Sequence, residues 1–87
     1  MAAVEMSERD ARLWRFLQHR LAMAERKHPD FADGVWQGMG RIGEEYGELC
    51  QAVNKDQGET RIKAEAWDLL VVSWRFVRED WRRKNHG

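Results

Sequence analysis

The stretch from Ala64 to Val77 most constrains the fold. Ala64, Ala66, Trp67, Leu69, Leu70, Val71, Val72, Trp74, Phe76 and Val77 leave almost no continuous wet stripe. A helix without a wet face has to be covered on several sides. The chain has 87 residues, enough for one small core and a single domain, 1–87. Two further helices of this length cannot cover the third completely. The expected fold class is therefore all-α: a three-helix chain forming an antiparallel helical bundle completed by homo-oligomerisation.

Helical spacing and its interruptions divide the chain. Strand-type alternation is absent. The first helix is expected over about residues 7–27. Ser7, with Asp10 three residues on, resembles a capping box, and Trp14, Leu17, Leu21 and Ala24 make one apolar stripe. His28-Pro29 ends it, because proline disfavours the helical conformation of the residue before it. A loop follows to Gly34, with Asp33 the expected cap of the second helix.

That second helix is expected over about 35–54. Val35, Met39, Ile42, Tyr46, Leu49 and Val53 form a heptad-like seam, which predicts lengthwise packing against other helices. Gly38, Gly40, Gly43 and Gly47 each weaken it by roughly 1 kcal/mol relative to alanine, and close approach of a neighbour is the simplest compensation. A joint at 55–59 leads to the third helix, expected over about 60–83, with the polar residues from Arg78 onward expected to fray.

Charge excludes some function classes. Fifteen Lys plus Arg balance fifteen Asp plus Glu, so there is no overall positive field to hold nucleic acid or an anionic membrane. Arg75, Arg78, Arg82, Arg83 and Lys84 form a basic tail, but Glu79 and Asp80 interrupt it. No apolar run is long enough to span a bilayer, and no secretory leader is expected. The single Cys50 allows no intrachain disulfide, which fits a reducing, cytoplasmic setting.

The chemistry-bearing residues are acids. The second helix carries Glu44-Glu45-x-x-Glu48 and the third carries Glu65-x-x-Asp68. Residues three apart share a helix face. The joint is short, so the two helices are antiparallel neighbours and the acidic pairs arrive at similar heights. Carboxylates crowded into a partly buried site repel one another and take up protons. Divalent cations relieve that repulsion, and an all-oxygen donor set suits Mg²⁺ or Mn²⁺. A lone Glu-x-x-Glu is ordinarily a solvated helix face. Glu65 and Asp68, however, lie within apolar sequence, where acids seldom serve solubility alone.

The combination Ile42-Gly43-Glu44-Glu45-Tyr46-Gly47-Glu48-Leu49 followed by Glu65-x-x-Asp68 resembles the signature of the MazG-like all-α nucleoside triphosphate pyrophosphohydrolases, over roughly residues 20–80. The resemblance implies a Mg²⁺-dependent enzyme, a homodimer or homotetramer, that cleaves a (deoxy)nucleoside triphosphate into a monophosphate and pyrophosphate in nucleotide-pool housekeeping. It implies that Glu45, Glu48, Glu65 and Asp68 are metal ligands and that Glu44 orients or deprotonates the attacking water. The chain departs from relatives in lacking a fourth helix, so a partner chain is expected to supply what that helix does.

Cations should meet the triphosphate. Lys27, Lys55 and Arg75 are the candidates, with Arg26, Arg61 and Lys63 behind them. Trp36, His28 and Phe31 flank the first loop and could stack on a base, although loop anchoring and core packing are the more ordinary use of such residues. Two other functions stay open: a non-catalytic helical oligomer that senses nucleotide and metal, and a partner-binding or nucleic-acid-binding module using the basic tail.

Overall fold

The computed structural model describes residues 5–82. They form three helices with no strand among them: α1 Glu8–Lys27, α2 Val35–Asn54 and α3 Glu59–Val77. The Ser7 side chain accepts the Asp10 amide at 3.0 Å and caps α1. His28 closes it, as the following proline requires. Gly34, not Asp33, is the N-cap of α2, and Gly58 is the N-cap of α3. Both have positive φ, 98° and 94°, which glycine adopts without strain.

α3 is the central element. α1 and α2 both pack on it, and among the described residues they do not pack on each other. Leu17 and Leu21 of α1 meet Val71 of α3, and Trp14, Ala24, Trp67 and Trp74 pack around them. The Trp14 and Trp74 rings meet edge to face at 5.4 Å, and Phe16 meets Trp67 in the same way at 4.9 Å. α2 runs antiparallel to α3. Gly38, near its start, lies against Phe76 and Trp81, while Glu45 lies beside Glu65 and Asp68. A Cβ at Gly38 would sit 3.1 Å from the Phe76 ring, so this glycine admits a close neighbour.

α3 stops at Val77, short of the expected residue 83; that expected end lies outside the described residues. Glu79 takes a left-handed φ of 64°, and the amides of Glu79 and Asp80 bond back to the carbonyls of Phe76 and Arg75. This is a Schellman ending built without glycine. The chain then hooks back. The Trp81 indole donates to the Phe76 carbonyl at 3.0 Å, and the Trp81 carbonyl accepts the Gly34 amide at 2.8 Å. Residues 78–82 are thus held rather than frayed, and they tie the end of α3 to the start of α2.

The seam of α2 is a second correction. It is not the face turned to α3: Val35, Met39, Tyr46 and Val53 are exposed, from 41% at Val35 to 60% at Tyr46, and only Ile42 and Leu49 are half-buried. The face turned to α3 carries Gly38, Arg41, Glu45 and Ala52, one residue back from the seam and so about 100° round the helix. Gly40, Gly43 and Gly47 have nothing within 4 Å of where a Cβ would be, so their compensation is not supplied within the described chain. The radius of gyration, 15.1 Å, exceeds the value of about 12 Å for a compact chain of this length. Among the described residues no helix is long and apolar enough to cross a membrane.

Candidate functional site

The gap between α1 and α2, floored by α3, is a cavity of about 340 Å³. Arg20, Met23, Ala24 and Lys27 line it from α1, and Arg41 and Glu45 from α2. Asp68, Val71, Val72 and Arg75 form its floor, and His28 and Phe31 close one end. Helical spacing explains each wall. Arg20, Ala24 and Lys27 recur at four and three residues, as do Arg41 with Glu45 and Asp68 with Val72 and Arg75.

Its acidic corner joins α2 to α3. Carboxylate oxygens of Glu45, Glu65 and Asp68 all lie within 4.8 Å of one another. Glu65 is only 3% exposed. One oxygen of Glu45 and one of Glu65, both Oε2, are buried without a hydrogen-bond donor. Burial pushes Glu45 up to about 7, and the charges of Glu48, Asp68 and Glu65 push the same way. Burial also raises Glu65, against the opposing charge of Arg61, while Glu48 adds to the rise. Glu48, more exposed than the other three, thus bears on both buried acids. The donors are all carboxylate oxygens, the set a hard divalent cation takes, and two of them have nothing else to bond. Glu44 is exposed and outside the group of three.

Cations surround this corner. Arg20 reaches Asp68 Oδ1 at 2.9 Å and the Ala64 carbonyl at 3.5 Å. Arg61, one turn earlier in α3 and exposed, reaches Glu65 at 2.8 Å. Lys27 lines the cavity. Arg75 lines it too, but its donors are committed: Nη1 to the His28 carbonyl at 2.9 Å, Nη2 to the Pro29 carbonyl at 3.5 Å, and Nε to Asp80 at 3.1 Å. It anchors the first loop to the end of α3. Lys55 is the exposed C-cap of α2 and lies outside the cavity lining, and so does Trp36, which is 79% exposed. Phe31, 3% exposed, is a loop anchor, with the guanidinium groups of Arg41 and Arg75 at 5.6 and 5.2 Å from its ring centre.

Arg20 and Arg41 carry no motif in the sequence and were not among its candidates. The only available signal is spacing: Arg41 stands one turn before Glu45. In the basic tail, Arg78 pairs with Glu25 and Asp80, and Arg82 with Glu79. Asp80 is itself affected by burial, which would raise it, but hydrogen bonds from Arg78 and Arg75 hold it below the usual carboxylate range. Arg83 and Lys84 lie outside the described residues.

Comparison with protein-family models, with curated proteins and with solved structures matched nothing to this chain.

Proposed function

We propose that this chain is a MazG-like nucleoside triphosphate pyrophosphohydrolase, active in the cytoplasm with Mg²⁺, or Mn²⁺ in its place. The observation that carries the reading is the meeting of Glu45, Glu65 and Asp68 across α2 and α3, with buried carboxylate oxygens that no protein donor satisfies. Glu45, Glu48, Glu65 and Asp68 would hold the ions. Bound there, divalent ions supply charge neutralisation of the phosphate oxygens and a more acidic water.

The chain's own residues do the rest. The cavity opens beside the acids and is lined by Arg20, Lys27 and Arg41, so a phosphate chain meets positive charge while its anhydride lies at the acidic corner. Water adds to the α phosphorus, the bond from that phosphorus to the α–β bridging oxygen breaks, and pyrophosphate leaves with the monophosphate remaining. Glu44, in solvent beside Glu45, is the carboxylate left to accept the proton from that water. The buried Val71 and Val72 make the cavity floor apolar and limit the water on that side of the reacting group.

The working form in this proposal is a homodimer or homotetramer. The exposed seam residues Val35, Met39, Tyr46 and Val53 of α2 with the open face at Gly40, Gly43 and Gly47, and the extended shape of the single chain, support it.

A panel of nucleoside and deoxynucleoside triphosphates, assayed for pyrophosphate with and without Mg²⁺, tests the reading. Release that needs the metal and disappears in Glu48→Gln supports it. No release from any triphosphate under these conditions refutes it.

A further inference from the structure

Three arginines line the cavity, and their commitments differ. Arg20 is bonded to Asp68 and to the Ala64 carbonyl. Arg75 is bonded to two loop carbonyls and to Asp80. Arg41 bonds to no acceptor among the described residues, and its Nε is buried without a partner. A guanidinium lacking acceptors in a partly buried place forfeits the hydration it had in water, and an anionic oxygen is what restores it. No carboxylate among the described residues pairs with Arg41. Its guanidinium carbon lies 5.6 Å from the centre of the Phe31 ring, a contact that supplies no hydrogen-bond acceptor.

The position suits a phosphate chain. Arg41 stands one turn from Glu45 on the same wall, so an anion held by Arg41 would lie along the cavity beside the acidic corner. We infer that Arg41 is the anion-receiving residue of this cavity, donating to the phosphate oxygens of the triphosphate; the inference deepens the hydrolase reading and rests on it for the identity of the ligand. Arg75 is structural in the same cavity, because all three of its nitrogens bond within the fold, and Arg20 is held through Nη2 by Asp68 and the Ala64 carbonyl. Arg41 therefore sets how the phosphate chain is oriented relative to the acids.

The test is calorimetric titration of the full chain with inorganic tripolyphosphate, with and without Mg²⁺. Arg41→Gln should weaken tripolyphosphate binding about tenfold or more. Arg41→Lys should recover part of the loss, since the charge stays while the two-pronged donor is gone. The rise in Tm produced by Mg²⁺ alone should be unchanged in both variants. Arg41→Gln that binds tripolyphosphate as tightly as the unaltered chain overturns the inference. So does a variant that loses the Mg²⁺ response as well, because that marks a general structural role. The two readings separate cleanly. Arg41-dependent tripolyphosphate binding without pyrophosphate release from any triphosphate sinks the hydrolase and keeps the anion site. Pyrophosphate release unaffected by Arg41→Gln keeps the hydrolase and sinks the anion site.

Discussion

Arg20 of α1 and Asp68 of α3 are joined by an ion pair of 2.9 Å, and this pair brings the first helix into the acidic corner formed by the other two. Both side chains are partly exposed, 27% and 46%, so the pair adds at most about 1 kcal/mol to stability. Its larger effect is positional, since it holds Asp68 and places a cation at the cavity mouth. Arg20→Gln is expected to lower Tm by only a few degrees, roughly what 1 kcal/mol produces in a domain of this size. Asp68→Asn is expected to abolish metal-dependent pyrophosphate release altogether. Full activity in Asp68→Asn would remove Asp68 from the metal-binding set.

Glu65 and Glu45 hold charge where it is disfavoured. Replacing either with glutamine keeps the shape and removes the repulsion. In the metal-free protein at pH 8, Glu45→Gln is expected to raise Tm by about 5 °C. The same change should erase the further rise that Mg²⁺ gives the unaltered chain, and a chelator should then have no effect on the variant. Thermal melts with Mg²⁺ and with EDTA check both halves. A variant less stable than the parent in EDTA would show that Glu45 is not strained by its neighbours.

The pH dependence has an unusual direction for a carboxylate. The pKa of Glu45 is raised by burial and by Glu48, Asp68 and Glu65 to about 7, against 4.5 in the unfolded chain. Between those values the folded state binds the extra proton, so stability falls as pH rises through the window and stays reduced above it. Without metal, Tm should be higher near pH 5 than at pH 8. Saturating Mg²⁺ should flatten or reverse the slope, because bound cation replaces the proton. A metal-free Tm that climbs from pH 5 to 8 would contradict the raised value.

Gly43 and Gly47 lie on an open face of α2, where alanine would meet nothing within the chain. In the isolated chain each Gly→Ala change should stabilise α2 by up to about 1 kcal/mol. Where a second copy packs on that face, the added methyl groups should instead weaken the assembly. Sedimentation of Gly43→Ala/Gly47→Ala is expected to show a shift toward monomer. An unchanged oligomer with a higher Tm would move the interface elsewhere.

Trp81 locks the C-terminal hook through its bond to the Phe76 carbonyl and its contact with Gly38. Trp81→Ala should cost about 2 kcal/mol and free the start of α2. Urea unfolding measures the loss, and faster amide exchange at Gly34 locates it, since that amide bonds the Trp81 carbonyl.

Local chemistry was legible in the residues. Ser7 with Asp10, the His28-Pro29 break, and the three- and four-residue spacings foretold the helices, because caps, proline and side-chain periodicity act within a few residues. The acidic corner was legible for the same reason: Glu45 with Glu48, and Glu65 with Asp68, each share a face by spacing alone, and a short joint makes their helices antiparallel. The direction in which α2 turns was not. A periodic pattern says that an apolar face exists, not that it faces the chain's own core. Here Gly38 lets Phe76 and Trp81 approach, and the face one residue back from the seam goes inward. The end of α3 at Val77, the loss of Lys55 and Trp36 from the cavity, and the roles of Arg20, Arg41 and Arg75 were likewise hidden. Each depends on contacts between residues far apart in the chain, and such contacts arise from how the helices cross rather than from any local preference.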